Sequence, residues 1–306
     1  MNSLSNARKG IFFAFLTSLL WGFLPIIIKI VLKTISPVAV TWFRFFSASI
    51  ILVVYYVIKK PSALKIIIKP PLLLLLAAVC LGLNYLGFIK GLHYTTPAIA
   101  EIFIQTGGIL LAISGFVFFH EKISPRHLFG IILVFGGMGI FYHDQILVLA
   151  ENVSMYQKGV FLTVGGGIMW VSYAIIQKGL VRKYDPMTLN LVLFVLPAIG
   201  YIPFVDYHEF VNISSGTWLI LIFLGMNTVI AYGSLAYALK YIDANKVSVI
   251  ITANPIITFS ALALLIVFDI RWIAHEKFTW ISIVGAINVI IGVAFTVMKK
   301  KIRETK

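Results

Sequence analysis

Two stretches of equal length decide how this chain is read: KGIFFAFLTSLLWGFLPIIIK at 9–29 and KGVFLTVGGGIMWVSYAIIQK at 158–178. Each opens on Lys-Gly, carries a tryptophan at the same place (Trp21, Trp170) and closes on a lysine (Lys29, Lys178). Between its lysines each is almost wholly apolar over close to the ~20 residues that a helix needs to cross the hydrocarbon core of a bilayer. The chain therefore holds a membrane helix and, 149 residues later, a copy of it.

The match continues outward from this pair. Pro37 pairs with Pro186 at the same offset, and Gly82 and Asn84 pair with Gly225 and Asn227. Leu92 and Tyr94 pair with Leu239 and Tyr241, and His120-Glu121-Lys122 with His275-Glu276-Lys277. Gly130 and Gly137 then pair with Gly285 and Gly292. A colinear series with slowly drifting offset is the mark of a duplication.

Composition agrees with the membrane reading. Of 306 residues, 60% are hydrophobic and 12% charged, against about 45–50% and about 25% in soluble domains. Ten apolar runs are long enough to span: approximately Ile11–Leu32, Val38–Ile58, Pro71–Leu92, Ala98–Phe119, Leu128–Tyr142, Gly159–Val181, Thr188–Val205, Thr217–Leu239, Val247–Phe268 and Phe278–Val297. Between them stand turn and charge signals: Ser36-Pro37, Lys59-Lys60-Pro61, Thr96-Pro97, Ser124-Pro125, Asp185-Pro186 and Ser214-Ser215-Gly216. The runs are continuous rather than alternating, which excludes a β-barrel.

With ten spans both termini share one side. Eighteen of the 25 lysines and arginines fall in the segments on that side, and the formal net charge of +14 is accounted for there. Basic residues collect on the cytoplasmic side of membrane proteins, so both termini are expected in the cytoplasm and no nucleic-acid partner is needed. Cys80 is the single cysteine, so an internal disulfide is excluded. The first apolar run is too long for the core of a cleaved signal peptide and is expected to stay as the first helix.

Five spans per copy is an odd number, so the second copy must lie upside down in the bilayer. The expected fold is all-α: ten transmembrane helices as two inverted five-helix repeats, 9–142 and 158–298, followed by a basic cytoplasmic tail, 299–306. Inverted repeats place a pseudo-two-fold axis in the membrane plane, with a solute site at the repeat interface near the midplane.

These features resemble the drug/metabolite transporter superfamily, in its EamA-type branch. The residues that carry the resemblance are Trp21-Gly22, Arg44-Phe45, Gly91-Leu92, Tyr94, Pro97 and Glu121-Lys122. In the second half they are Trp170, Ala238-Leu239, Tyr241, Asn254-Pro255, Glu276, Gly285 and Gly292. The stretch between Phe268 and Glu276 is longer than the family pattern. The resemblance implies movement of amino acids, metabolites or drugs and leaves the substrate open.

Ionisable residues inside a span are costly and mark functional candidates. Arg44 and Glu101 enter from the outer side to similar depth. The plain reading is a structural ion pair, or an Arg44 that snorkels to the headgroups; the sharper one gives Glu101 a proton or a cationic solute group, with Arg44 tuning it. Trp21 and Trp170 lie deep, where aromatic walls suit apolar or cationic solutes and packing is the alternative. Asn84, Tyr85, Gln105, Tyr173, Gln177, Asn227, Tyr232, Thr252 and Asn254 are the other polar candidates, about half of them expected to line the path and the rest to bond helices together. Pro25 and Pro255 are expected to kink their spans.

His120 and His275 are expected on opposite faces, so they cannot share a metal. No metal, cofactor, catalytic residue or nucleotide-hydrolysing motif is expected. The reading is a secondary transporter or facilitator in a bacterial inner membrane, exporting amino acids or similar amphipathic solutes, with proton coupling as an open possibility and oligomeric state undetermined. Efflux of varied toxic cations is the alternative within the class. An intramembrane lipid-modifying enzyme is the alternative outside it, and it would need convergent catalytic groups that are not visible.

Overall fold

Four helices begin where the sequence supplies a side-chain cap. The side chains of Ser36, Thr96, Asp185 and Ser214 accept from the backbone N–H three residues on (Ala39, Ile99, Thr188, Thr217) at 3.1–3.3 Å. In the first three a proline follows at the first helical position, where its missing N–H costs nothing. In the computed structural model these signals delimit α1 (Asn2–Gly22), α2 (Leu24–Val31), α3 (Pro37–Lys59), a short α4 (Lys65–Ile68), α5 (Leu72–Tyr94), α6 (Pro97–Val117) and α7 (Pro125–Phe141). The second half holds α8 (Val153–Leu180), α9 (Pro186–Tyr201), α10 (Ser215–Tyr241), α11 (Ala244–Ile251), α12 (Asn254–Val267) and α13 (Trp280–Val297).

The structure describes residues 2–121, 124–141, 143, 153–270 and 279–297, with 2–5, 127, 153–156 and 296–297 described by their backbone alone. Among them there is no strand. The ends of the fifth and tenth expected spans at Tyr142 and Phe278 lie outside the described residues. So do Lys122, the second tripeptide His275-Glu276-Lys277 and the tail 299–306.

Among the described residues eight spans are long and apolar enough to cross a membrane: Asn6–Val31, Pro37–Lys59, Leu72–Tyr94, Pro97–Val117, Gln157–Leu180, Pro186–Phe204, Ser215–Tyr241 and Ala244–Val267. The other two expected spans correspond to shorter apolar helices, Leu128–Phe141 and Trp280–Phe295. Two spans are broken, at Phe23 and at Thr252-Ala253, each just ahead of Pro25 or Pro255. Proline cannot donate to the carbonyl four residues back, and the freed turns find other partners. Thr258 donates its hydroxyl to Gly22 O at 2.6 Å. The two breaks abut: a Cβ at Gly22 would stand 2.5 Å from that of Ile257.

The most extensive helix pairings all join one half of the chain to the other: α5 with α8, α7 with α13, α6 with α8, α1 with α10, and α3 with both α9 and α10. They come in matched sets. As α5 lies on α8, so α10 lies on α1, and as α5 touches α9, so α10 touches α3. At one end of the bundle Gly10 meets Ile242, and the Tyr56 hydroxyl donates to Asp185 Oδ2 at 3.3 Å. At the other, Gly159 meets Thr95, and Ser36 N–H donates to Glu209 Oε2 at 2.6 Å. Thus α1 begins, and α8 finishes, at the same end.

Each half repeats one lysine contact. Lys29 Nζ donates to the carbonyls of Leu92, His93 and Thr95 at 2.7, 3.2 and 2.5 Å. Lys178 Nζ donates to those of Leu239 and Ile242 at 2.9 and 2.5 Å. Both lysines satisfy carbonyls left open at a helix C-terminus and place a cation at the negative end of its dipole. At the α1 end a carboxylate joins in. His120 takes a left-handed conformation (φ 50°), which turns Glu121 back so that it accepts from Ala244 N–H and Asn245 N–H at 2.7 and 3.0 Å. Glu121 thereby caps α11, with Lys178 Nζ 3.9 Å away.

The α7–α13 seam is lined by the glycines that the repeat pairs. Gly137 lies against Gly285, and Gly292 against Gly130. A Cβ on Gly285 would overlap the backbone of Phe141, whereas one on Gly139 would meet nothing within 4 Å. Gly285→Val is therefore expected to lower the thermal melting point of the purified protein, at a cost of about 1–3 kcal/mol from overpacking. Gly139→Ala should leave it unchanged; equal melting points for the two variants would show that the seam is not close-packed.

Candidate functional site

Where the two halves meet, a cavity with about 580 Å³ of space between atoms opens among α1, α2, α3, α5, α6, α8, α10, α11 and α12. Nine of the sequence candidates line it: Trp21, Arg44, Asn84, Tyr85, Glu101, Gln105, Trp170, Tyr232 and Asn254. Three do not. Thr252 donates its hydroxyl to Ser248 O on its own helix at 2.9 Å, and Asn227 donates to Leu20 O at 3.2 Å. Tyr173 is fully buried behind Tyr232, ring centroids 5.9 Å apart. The sequence reading missed Leu24, Phe88, Ile104, Gly108 and Ile251, which complete the wall.

The aromatic side of the wall is a cluster. Trp21 meets Trp170 edge-on at 5.9 Å between centroids and Tyr232 at 5.1 Å, and Tyr232 in turn lies 5.4 Å from Tyr85. Such contacts fix ring orientation as well as burying area. The Trp170 indole N–H has no hydrogen-bond partner. Asn84 donates to Gly166 O at 3.0 Å and so ties α5 to α8 beside the cavity. Asn254 with its amide oriented to suit its neighbours donates to Ile251 O and to Ser18, closing the broken turn before Pro255.

Charge is arranged differently from either plain expectation. Arg44 is 2% exposed, so it does not snorkel to the headgroups. Nor does it pair with Glu101: no carboxylate of the described residues lies within 4.0 Å of its guanidinium. Instead Nε donates to Thr228 Oγ1 at 3.2 Å and Nη2 to the Tyr85 hydroxyl at 3.3 Å, while the guanidinium sits 4.4 Å from the centroid of the Tyr85 ring. Equal depth along two helices did not put the two side chains in contact, because hydroxyls and a ring face supply Arg44 with partners first. Glu101 is 3% exposed, and its Oε2 accepts no hydrogen bond. One cavity thus holds a buried cation without a counter-ion and a buried carboxyl with an open acceptor. Thr228 was not among the sequence candidates; a threonine one turn beyond Leu224 in an apolar run reads as a hydroxyl bonded back to its own helix, and it does donate to Leu224 O at 2.8 Å.

A family model described as the EamA-like transporter family matches this chain twice, over residues 8–142 and 157–298. The chain belongs to the EamA-like transporter family. It is a multi-pass membrane transporter. An uncharacterized transporter of Haemophilus influenzae is 31% identical over 295 residues, covering 96% of each chain. The uncharacterized inner membrane transporter YhbE of Escherichia coli is 29% identical and covers 97% of this chain and 94% of its own. An uncharacterized transporter of the archaeon Archaeoglobus fulgidus is 30% identical over 301 residues. A solved crystal structure with 17% identity shares the fold, with a TM-score of 0.71 over 94% of this chain and 97% of that one.

The Arg44 contacts lead to a stability test. Thr228→Val keeps the shape of the side chain and leaves a buried charged donor unmatched, which is expected to cost about 1.5–3 kcal/mol. Thermal melting should fall for Thr228→Val and hold for Thr228→Ser; if the two variants melt alike, the hydroxyl does not carry Arg44.

Proposed function

We propose that this protein is a secondary transporter that exports amino acids, or similar small amphipathic zwitterions, by alternating access around the cavity between its halves. The observation that carries the reading is a buried guanidinium with no carboxylate beside it and a buried carboxyl with an open oxygen in one aromatic-walled space. Arg44 offers a guanidinium that fits a carboxylate, and Glu101 offers a carboxylate for an ammonium. A solute bearing both groups completes the site, and the rings of Trp21, Trp170 and Tyr232 pack on its apolar part. Efflux of apolar cations is the weaker reading, because a buried Arg44 repels a solute of its own sign. An enzyme acting on lipids is weaker still, since the nearest thing to a reactive pair is this charge pair, with no nucleophile between its members.

In this reading the chain has ten spans, 9–142 and 158–298 being two inverted repeats, with both termini in the cytoplasm of a bacterial cell. The matched helix pairings, the twin lysine caps and the common end shared by the start of α1 and the finish of α8 support it. Rocking one half against the other exchanges the open side without new structure. Proton coupling rests on Glu101, the carboxyl with a free acceptor at depth.

The test is a thermal-shift screen of the purified protein against the common amino acids, each compared with its methyl ester and its N-acetyl derivative. A bound amino acid raises the melting point, and loss of either charge should weaken binding on the order of 10- to 100-fold, the worth of a charge-assisted contact. Arg44→Gln should abolish discrimination against the ester, and Glu101→Gln discrimination against the N-acetyl form. Glu101→Gln should also flatten the pH dependence of uptake into vesicles. No shift with any amino acid, or shifts with esters equal to those with free acids, would overturn the zwitterion reading.

A further inference from the structure

Beyond the cavity, three buried polar side chains lie together, those of Tyr173, Gln177 and Asn190. Asn190 Nδ2 finds no hydrogen-bond partner among the described residues, and the three residues are 0%, 1% and 0% exposed. Tyr173 and Gln177 lie one turn apart on α8, so they share a face. Gln177 Nε2 donates to Asn190 Oδ1 on α9 at 3.2 Å. One hydrogen bond between two amides leaves a donor and an acceptor idle whichever way each amide is turned. The ring of Tyr173 touches that of Tyr232 in the cavity wall, so the three residues continue the wall towards the end where α8 finishes and α9 begins.

Idle polar atoms in a dry interior are costly. The repeat supplies an internal comparison. At the offset of 149 that relates Trp21 to Trp170, Lys29 to Lys178 and Pro37 to Pro186, the three residues correspond to Leu24, Ile28 and Thr41. These are buried too, and none is orphaned: two are apolar, and the Thr41 hydroxyl donates to Pro37 O of its own helix at 2.7 Å. The same packing is thus achieved in the first half without a single amide. The polar set belongs to one end of the molecule only.

We infer that Tyr173, Gln177 and Asn190 line the closed half of the solute path, from the cavity to the end where α1 begins, and that solute and water satisfy them when that end opens. Their chemistry, a phenol and two amides, suits a polar solute whose charges were matched in the cavity and must be partly matched on its way out. At the opposite end the equivalent surface is apolar, so passage there makes fewer polar contacts. This inference rests on the transport reading, deepens it and names the residues of the exit route.

Cysteine accessibility tests it, with Cys80→Ala removing the only native thiol. The probe is the impermeant cation MTSET, applied separately to each side of reconstituted vesicles. Asn190→Cys is expected to react from the α1 side at least ten times faster than Leu189→Cys, its equally buried neighbour, and Gln105→Cys is the reporter for the cavity. If Gln105→Cys is labelled while Asn190→Cys is as inert as Leu189→Cys, the cavity opens by another route and this inference is overturned. If Gln105→Cys resists the probe from both sides, the transport reading falls with it. A second measurement separates a path from helix bonding. Gln177→Leu combined with Asn190→Leu should leave the melting point unchanged or raised, and slow labelling of Gln105→Cys from the α1 side at least tenfold. A lowered melting point with unchanged labelling would mark the amides as structural and overturn the proposal.

Discussion

The hydrocarbon of a bilayer gives a backbone N–H or C=O nothing to bond to, so a chain within it must satisfy each of these groups from its own resources. This constraint decides where the present protein spends its few polar residues. Lys29 and Lys178 reach the carbonyls at the C-terminal ends of α5 and α10. Glu121 covers the first amides of α11, and Thr258 takes the carbonyl set free beside Pro25. With helix ends and breaks closed in this way, polar atoms still unmatched in the interior stand out, and several of them lie in the cavity wall or directly behind it. The site is visible because the rest of the backbone is so fully accounted for.

Much of this was legible in the residues. Length of apolar run gave eight of the ten expected spans, and cap chemistry at Ser36, Thr96, Asp185 and Ser214 gave the starts of four, because both depend on local sequence. The duplication was legible through residues that local physics pins in both copies: a lysine that must reach carbonyls, and glycines such as Gly285 that must let another backbone pass. Nine of the site candidates reached the cavity because depth and polarity together are rare in a span.

What was not legible depends on the angle around each helix axis. Leu24, Phe88, Ile104 and Ile251 face the cavity, yet in an apolar helix a residue facing a cavity and one facing lipid are written in the same letters. Arg44 and Glu101 were matched in depth but not in azimuth, and the hydroxyls of Thr228 and Tyr85 took the place of the expected counter-ion. Tyr173, Asn227 and Thr252 were rightly read as buried, but polarity does not say whether the neighbour is a solute or a carbonyl. Lys29 and Lys178 looked like flanking charges, and only the fold shows that they reach helix ends some 60 residues on.

The dominance of contacts between halves has a consequence for biogenesis. The first seven helices leave the ribosome before most of their packing partners exist, since α5 waits for α8, α1 for α10 and α7 for α13. Until then Asn84 has no Gly166 carbonyl, and Arg44 has no Thr228. Such a half-made chain is a polar and poorly packed intermediate in the membrane, so the bundle must assemble after insertion rather than during it. The same interdependence means that two separately made halves would carry all the information needed to find each other.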